Sequence, residues 1–372
     1  SAVGLVPCAY VCDCWSRRRL ALIGIVMVAV GFVFFPLGGF FPKGSMLYML
    51  LIVGSLLVGM GQAAQVSGWF AALAPIVPAA TRGRFFGTMR VLFQLTSVFI
   101  ALLVTLVLPK SAPIWVLQAV LGVAALSIIP WYITYAAIPD MPAGMRRHGD
   151  SFADLLRIAA RAPGFASFCA YSFIIQLFSG GCLGVFGLIE KRQLDLADGW
   201  IVLLANLSMM GSVLGYFLGG RAIDRYGTRG VFFFCHMAFG AILFFFLFRD
   251  CYGMPLIAGL AAAHFLYGLP LAVSSIALST EMMALAPERG RSVATSLCFA
   301  LGLAGASLSG MLVGWGVRMG IFSQQWTLVG QPRTEFDAAL LIYAVLIITM
   351  TITLGLVPSV LGKATDDGNT AR

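Results

Sequence analysis

Long apolar runs alternate with short polar intervals along the whole chain. Each run is nearly free of charge and long enough to cross a bilayer as an α-helix, which takes about 17–25 residues. No segment alternates polar and apolar residues as a membrane β-strand does. The pattern predicts an all-α polytopic membrane protein. Ten complete spans are expected near residues 20–39, 46–73, 87–108, 113–135, 165–189, 200–219, 231–248, 254–279, 292–316 and 338–358.

The longest polar interval, residues 139–163, separates the fourth complete span from the fifth. Ser151 stands three residues ahead of Asp154, which is typical of a capped helix start, and the apolar residues that follow share one face. This pattern predicts a short amphipathic helix on the membrane surface, with a plain linker as the alternative. We expect an N-terminal bundle at 1–138, a linker at 139–164, a C-terminal bundle at 165–360 and a tail at 361–372.

Two loop sequences occur twice. Residues 220–229 read G-R-A-I-D-R-Y-G-T-R and residues 9–18 read A-Y-V-C-D-C-W-S-R-R, so Asp224 follows Asp13 by 211 residues (224 − 13). The tripeptide R-G-R at 289–291 follows the one at 82–84 by 207 residues (289 − 82). Two independent loops at nearly the same offset indicate a tandem duplication.

Composition and charge support a membrane protein. Of the 372 residues, 60% are hydrophobic and 10% are charged, and the mean hydropathy is +0.94. Soluble domains carry about 25% charged residues, so this class is excluded. The net charge of +9 does not indicate nucleic-acid binding, because seventeen of the 24 basic residues lie on the side of the 220–229 loop. Such an excess predicts that this loop and both termini are cytoplasmic.

The cysteines do not form a metal-binding or disulfide pattern. Four of the eight lie inside apolar runs, where a thiol behaves as a small hydrophobe. Cys12 and Cys14 form a single C-x-C pair without the second pair that a zinc site needs. We therefore expect no metal site and no cofactor. A membrane enzyme is also discounted, because the sequence has no nucleophile or histidine–acid cluster.

The pattern G-x-x-x-D-R-x-G-x-R at 220–229 resembles the loop motif of the major facilitator superfamily, a large class of secondary transporters. The resemblance extends over essentially the whole chain and implies two pseudo-symmetric six-helix bundles with twelve spans. The chain has ten, after an apolar remnant at 1–11. The repeat offset places the counterpart of the helix near residue 165 at −46 (165 − 211). We therefore expect the first helix and most of the second to precede this sequence.

The resemblance also implies roles for the loop residues. The motif's acid is expected to pair with its arginines and with the start of a helix from the opposite half, which holds the cytoplasmic side closed. Gly220 would permit close helix packing, and Gly227 a tight turn. On this interpretation the acids are Asp13 and Asp224, and their partners are Arg17, Arg18, Arg225 and Arg229. Glu281 lies at the cytoplasmic end of its span beside Arg289 and Arg291, a position that favours a gate salt bridge over a proton relay.

The first copy of the motif departs from the pattern. Ala9 replaces the leading glycine, Cys14 replaces the arginine after the acid, and Ser16 replaces the second glycine. We therefore expect a weaker contact at Asp13, and the alternative is that both loops are simply short basic connections.

Polar side chains inside the spans are candidates for a substrate cavity, because they are costly to expose to lipid. His264 lies near the middle of its span, and it would bind substrate, carry a coupling proton or be a neutral residue hydrogen-bonded between helices. No acid is expected in the middle of a span. The other candidates, for which interhelical hydrogen bonding is the alternative, are Gln62, Gln65, Gln94, Gln176 and Asn206.

These features predict a secondary active or facilitative transporter that moves a small solute by alternating access, with a proton or a sodium ion as the coupling ion. The alternative is a transporter-like membrane protein that does not transport and acts in assembly or sensing. We expect a monomer in the lipid bilayer of a bacterial inner membrane, with no nucleic-acid partner. Because the same fold carries many cargoes, the sequence does not identify the solute.

Overall fold

The structure is a computed structural model that describes residues 2–355 except 43, 74–75, 108–112, 139–150, 251–252, 254 and 323–324. Helices form most of this part of the chain, and a short 3-10 turn, Ala79–Thr81, precedes α5. The elements are α1 (Ala2–Cys14), α2 (Arg17–Gly38), α3 (Ser45–Ser67), α4 (Trp69–Leu73), α5 (Arg82–Val107), α6 (Ile114–Leu126), α7 (Ile128–Ala136), α8 (Phe152–Arg161), α9 (Phe165–Ser179), α10 (Cys182–Arg192), α11 (Asp198–Leu247), α12 (Leu256–Leu285), α13 (Arg291–Arg318), β1 (Trp326–Leu328), β2 (Gln331–Arg333) and α14 (Glu335–Gly355).

The predicted spans fall in helices. Eight helical segments of the described chain are long and apolar enough to cross a membrane. One of them, Gly199–Leu247, contains two predicted spans, because a helix of about 50 residues rises about 75 Å and the hydrocarbon core is about 30 Å thick. Its backbone leaves helical geometry at Gly227. The all-α membrane fold is therefore confirmed, although the end of the last predicted span, 356–358, lies outside the described residues.

A small hairpin departs from the all-helical prediction. Its strands β1 and β2 pair antiparallel and turn at Val329 and Gly330, whose φ angles of 52° and 74° are those that a type I′ turn requires. Arg333 anchors the hairpin, since its guanidinium lies 2.7 Å from the Asp250 carboxylate and 2.8 Å from the Leu247 carbonyl oxygen. Strands of three residues are too short to show a period-two pattern, which is why the sequence did not predict them.

Helix α8 begins where the sequence predicts a capped start. The Ser151 hydroxyl accepts the N–H of Asp154, and the Asp154 carboxylate accepts the N–H of Ser151, which completes a capping box. Leu155 is buried and packs with Ala9 and Val293. The helix therefore has one buried apolar face. The first half of the predicted linker and the predicted tail lie outside the described residues.

The chain divides into two compact units. The predicted domain boundaries at 138 and 164 divide the sequence into continuous segments, whereas each compact unit combines three separate segments. The boundaries therefore remain a prediction. Each unit contains the start of a helix from the other half of the sequence, since α13 begins in unit 1 and α5 begins in unit 2. Unit 1 comprises Ser1–Ile76, Leu95–Ala162 and Ala286–Ala300, and unit 2 comprises Val77–Gln94, Pro163–Leu285 and Leu301–Arg372.

The core of unit 2 is apolar and aromatic. Phe186 stacks on Phe246 with ring centroids 3.9 Å apart, and Leu340 of α14 is fully buried beside them. Large apolar side chains such as Phe93 and Phe234 are instead about two-thirds exposed. Exposed apolar surface of this kind is typical of a protein that contacts lipid.

Glycines bring α5 and α11 together within unit 2. A Cβ atom on Gly220 would lie 2.6 Å from the carbonyl oxygen of Gly83 and 3.1 Å from Cα of Arg84. A Cβ atom on Gly87 would lie 2.7 Å from the carbonyl oxygen of Tyr216. Backbones this close leave no room for a side chain, so the crossing depends on glycine.

We predict that Gly220→Ala destabilises the folded protein by about 1–3 kcal/mol, because the added methyl group meets backbone atoms. Thermal unfolding in detergent micelles, followed by circular dichroism, measures the change. Gly230→Ala is the matched control in α11, since no atom lies within 4 Å of its Cβ position. It is expected to leave stability unchanged or to raise it by up to about 1 kcal/mol. Equal melting temperatures for the two variants would contradict the close crossing.

Candidate functional site

The carboxylate of Asp224 lies at the N-terminus of α5. Its Oδ1 accepts a hydrogen bond from the backbone N–H of Gly83 (2.9 Å), and its Oδ2 accepts one from the N–H of Arg84 (3.0 Å). The first N–H groups of a helix have no partner within the helix, and the helix dipole makes this end positive. Asp224 therefore satisfies two of these donors and joins the loop at 220–229 to α5.

Arg84 contributes to this contact mainly through its backbone. Its Nε atom lies 3.9 Å from Oδ2 of Asp224, and its side chain is 67% exposed. An ion pair at such an exposed site contributes about 0–1 kcal/mol. An acid at a helix N-terminus contributes about 0.3–1 kcal/mol when exposed and up to about 2 kcal/mol when partly buried. The side chain of Asp224 is 11% exposed, so the hydrogen bonds to the helix are the stronger attachment.

Two further features position this loop. Gly227 has a φ angle of 75°, in the left-handed region that favours glycine, and the chain turns there. The hydroxyl of Thr228 then donates a hydrogen bond to the carboxylate of Glu281 on α12. The loop is thus attached to two helices of unit 2, to α5 through Asp224 and to α12 through Thr228.

The contact of Glu281 differs from the predicted salt bridge. Its carboxylate was expected to pair with Arg289 or Arg291, and the structure shows it bonded to Thr228 instead. The reason is the direction of the side chain, since Glu281 lies on the face of α12 that packs against α11. Arg289 is half-buried just before α13, and Arg291 is the first residue of that helix.

Asp13 makes the corresponding contact in unit 1. Its Oδ2 accepts a hydrogen bond from the N–H of Val293 (3.2 Å) in the first turn of α13. Its Oδ1 lies 3.7 Å from Nη2 of Arg17, which is the predicted pairing. Asp13 is 3% exposed and Arg17 is 8% exposed, so this contact is more deeply buried than the one at Asp224.

The two loop repeats therefore meet crosswise. The acid of the first motif copy contacts the first turn of α13, which begins at the last residue of the second R-G-R tripeptide. The acid of the second copy contacts the start of α5, whose first three residues are the first R-G-R tripeptide. The sequence showed both pairs of repeats, but as separate features. Only the structure shows that each R-G-R tripeptide supplies the helix start to which an acid binds.

Ser16 accounts for the missing glycine of the first copy. Its hydroxyl accepts the N–H of Arg19 (3.1 Å), so it is the N-cap of α2. A capped break between α1 and α2 turns the chain here, whereas Gly227 turns it within α11. Both solutions are physically sound, because an N-cap residue is extended and a left-handed glycine is unstrained.

Two predicted arginine partners lie elsewhere. The guanidinium of Arg18 donates to the carbonyl oxygen of Ala136 at the end of α7. The guanidinium of Arg225 lies over the ring of Tyr226, 5.4 Å from its centroid. Successive residues on a helix point about 100° apart. Arg225, next to Asp224, and Arg18, next to Arg17, therefore face other parts of the structure. Arg229 is half-buried in the second part of α11.

A small polar cavity, with a volume of about 90 Å³, lies inside unit 2. Gln176 of α9, His236 of α11 and Ser275 of α12 are among its lining residues. The Tyr171 hydroxyl lies 2.5 Å from Nδ1 of His236, and the buried hydroxyl of Ser172 has no hydrogen-bond partner among the described residues. Polar lining of this kind suits water or a small polar group.

Gln176 is thus the predicted cavity residue that lines this polar cavity. Gln62 and Asn206 are exposed, and Gln65 and Gln94 are half-buried. The structure does not bring these four amides to the cavity around Gln176. These four residues were predicted because they lie within apolar runs. That position does not show which face of the helix a side chain occupies.

His264 is paired with an acid that sequence reasoning missed. Its Nε2 lies 2.7 Å from Oε1 of Glu190, and both side chains are buried. Glu190 follows the predicted 165–189 span and precedes Lys191 and Arg192, so it resembles a loop residue. The helical segment Phe165–Arg192 is long enough to span and includes Glu190. The prediction that no acid lies in the middle of a span is not contradicted, because Glu190 lies in the last turn of α10. The sequence did not indicate that this acid is buried.

Comparison with known proteins agrees with this architecture. The family model described as Major Facilitator Superfamily matches residues 1–202. No curated protein matches the chain by sequence. The fold is similar to the E. coli fucose:proton symporter FucP, with a TM-score of 0.74 and 13% identity over 94% of this chain and 86% of that one.

Two further solved structures have a similar fold. A bacterial homologue of the iron transporter ferroportin matches with a TM-score of 0.72 and 13% identity, over 94% of this chain and 86% of that one. The proton:xylose symporter XylE matches with a TM-score of 0.69 and 13% identity, over 94% of this chain and 82% of that one. At such identities these likenesses show the fold alone. Because the family model covers more than half of the sequence, the chain belongs to the major facilitator superfamily.

Proposed function

We propose that this protein is a secondary transporter that moves a small solute across a membrane by alternating access. The observation that carries the proposal is the crosswise pair of carboxylate–helix contacts, Asp13 with α13 and Asp224 with α5. The similar structures include symporters that move fucose or xylose with protons and a homologue of an iron transporter. They support a small polar solute or ion as the cargo and a proton as the coupling ion.

The energy of these contacts suits a latch, which has to hold one state and then release it. An acid at a helix N-terminus contributes about 0.3–2 kcal/mol. Since about 1.4 kcal/mol is a factor of ten, such a contact shifts a two-state equilibrium by about 2- to 30-fold. The contact is therefore strong enough to bias the cycle and weak enough to open. The excess of basic residues on this side supports a cytoplasmic position for both latches.

Transport is tested with the full chain in liposomes. We expect uptake of at least one labelled solute from a panel of fucose, xylose and ferrous iron, at a rate above that of protein-free liposomes. The panel follows the chemistry of the similar transporters. Equal rates with and without protein for the whole panel would count against the proposal.

We predict that Asp224→Asn lowers solute flux by about 2- to 30-fold, because it removes the charge and one of the two acceptors at the start of α5. Hydrogen–deuterium exchange at the amides of Gly83 and Arg84 should become faster in the same variant. Mass spectrometry of the peptide that covers them measures this directly.

Two control variants separate the causes of such a change. Arg84→Gln keeps the backbone N–H and removes only the exposed ion pair, so its flux should stay close to that of the unaltered protein. Asp195→Asn is the matched control, since it makes the same substitution at an exposed acid. Asparagine also tolerates the φ angle of 49° at this position. Unchanged flux and exchange in Asp224→Asn would contradict the latch.

We predict that Asp13→Asn acts mainly on stability, because it removes the buried carboxylate charge that lies beside the guanidinium of Arg17 and accepts the N–H of Val293. The expected loss is about 2–5 kcal/mol in the free energy of unfolding. The double variant Asp13→Asn/Arg17→Gln removes the buried guanidinium charge as well and should recover part of the loss. Thermal unfolding of both proteins in the same detergent tests this, and a double variant no more stable than the single one would contradict it.

A further inference from the structure

Unit 2 contains a buried acid–imidazole pair that takes no part in the latch contacts. Oε1 of Glu190 and Nε2 of His264 are 2.7 Å apart, and their side chains are 1% and 3% exposed, respectively. Glu190 lies in the last turn of α10, and His264 lies in the third turn of α12. The ring of Phe186 meets the imidazole edge-on at 5.4 Å, and the surrounding cluster is apolar.

Each side chain of the pair has one further polar atom that lies outside the Oε1–Nε2 contact. Oε2 of Glu190 and Nδ1 of His264 are buried and have no hydrogen-bond partner among the described residues. A buried polar atom without a partner costs about 1–3 kcal/mol.

The pair can exist in two forms that differ by one proton. Without that proton, Glu190 is a carboxylate and His264 is neutral and donates its Nε2–H, so the pair is negative. With the proton, the pair is neutral overall, whichever of the two atoms carries it. A net charge in an apolar core is costly, and the form of the pair with the extra proton carries none. Contact with water would lower the cost of the charged form.

A second buried pair in the same unit provides a comparison. Nη1 of Arg249 lies 2.7 Å from Oδ1 of Asp337, and their side chains are 1% and 0% exposed. Asp337 also accepts the N–H of Thr334 (3.1 Å). Arginine does not release its proton in proteins, so this pair keeps its charges and its role is structural. Histidine is the side chain whose charge ordinarily changes near neutral pH.

The other titratable groups near Glu190 and His264 are exposed or have hydrogen-bond or ion-pair partners of their own. Next along α10, Lys191 and Arg192 are exposed. In the core, the Tyr267 hydroxyl of α12 donates to the Ser179 carbonyl oxygen, and the Cys182 thiol of α10 donates to the Phe178 carbonyl oxygen. Arg249, which follows the end of α11, and Asp337 in the first turn of α14 are paired with each other.

We propose that Glu190 and His264 form the proton-carrying site of this protein, which binds one proton while buried and releases it when the transport cycle brings water to the pair. This inference rests on the proposed transport function and names the residues that would link proton movement to it.

The proton on the pair can be observed directly in the full chain. The sequence has three histidines, so nitrogen NMR of protein labelled on histidine should resolve their rings, and His264→Gln assigns the relevant signal. At neutral pH we expect either a protonated His264 ring or an infrared band of a protonated carboxyl group, and Glu190→Gln should abolish whichever is present. The ring of His236, which lies beside the Tyr171 hydroxyl, is the internal control and should not change. A neutral ring together with no carboxyl band that depends on Glu190 would overturn the proposal.

Proton movement is measured in liposomes that enclose the pH-sensitive dye pyranine. On addition of the fucose, xylose or ferrous iron that passes the flux assay, the unaltered protein should move protons with the solute. Glu190→Gln and His264→Gln should each retain solute exchange and lose proton movement. Either variant serves if the other does not fold, because both remove the pair. Glu288→Gln removes an exposed glutamate as the matched control and should behave like the unaltered protein.

The outcomes separate this inference from the proposed function. Solute flux without proton movement in the unaltered protein would overturn the proton site and leave transport standing. Proton movement at the full rate in both variants would also overturn it. Absence of solute flux would instead count against transport itself.

Discussion

The N–H groups at the start of a helix need acceptors, and here two of those starts find them in the opposite half of the chain. Asp13 binds the first turn of α13, and Asp224 binds the first turn of α5. Because these donors have no partner within their own helix, an acid that reaches them is stabilised by hydrogen bonds and by the helix dipole. The composition of both compact units follows this arrangement, since each contains a helix start from the other half of the sequence. Contacts built from a few hydrogen bonds can open without loss of the apolar core.

The two loop copies share this interaction more closely than they share the local structure that supports it. In the second copy Gly227 turns the chain within one long helix, whereas in the first copy Ser16 caps a new helix after a break. The arginines around the acids also differ in their contacts, since Arg17 pairs with Asp13 while Arg225 lies over Tyr226. Different turns are compatible with the same kind of contact, because each acid accepts a hydrogen bond from a helix start in both copies.

Unit 2 contains buried polar groups with two kinds of chemistry. Arg249 and Asp337 keep fixed charges near the hairpin, where Arg333 is bonded to Asp250, and they hold the ends of α11 and α14 together. The imidazole of His264, in contrast, lies 2.7 Å from the carboxyl group of Glu190 within an apolar cluster. A fixed ion pair suits a scaffold, and a pair that can exchange a proton suits a cycle in which its surroundings change.

The sequence by itself determined the features that depend on short stretches of chain. Apolar length predicted the spans, a serine three residues before an acid predicted the start of α8, and repeat spacing showed the duplication. These signals are local, because a helix of sufficient apolar length is stable in lipid whatever its neighbours are. The tertiary structure alone decided the partners. It paired Glu281 with Thr228, Arg18 with the Ala136 carbonyl and His264 with Glu190, and it brought Gln176 to a polar cavity. Those contacts depend on which face of one helix meets which face of another, and residues far apart in the sequence set that geometry.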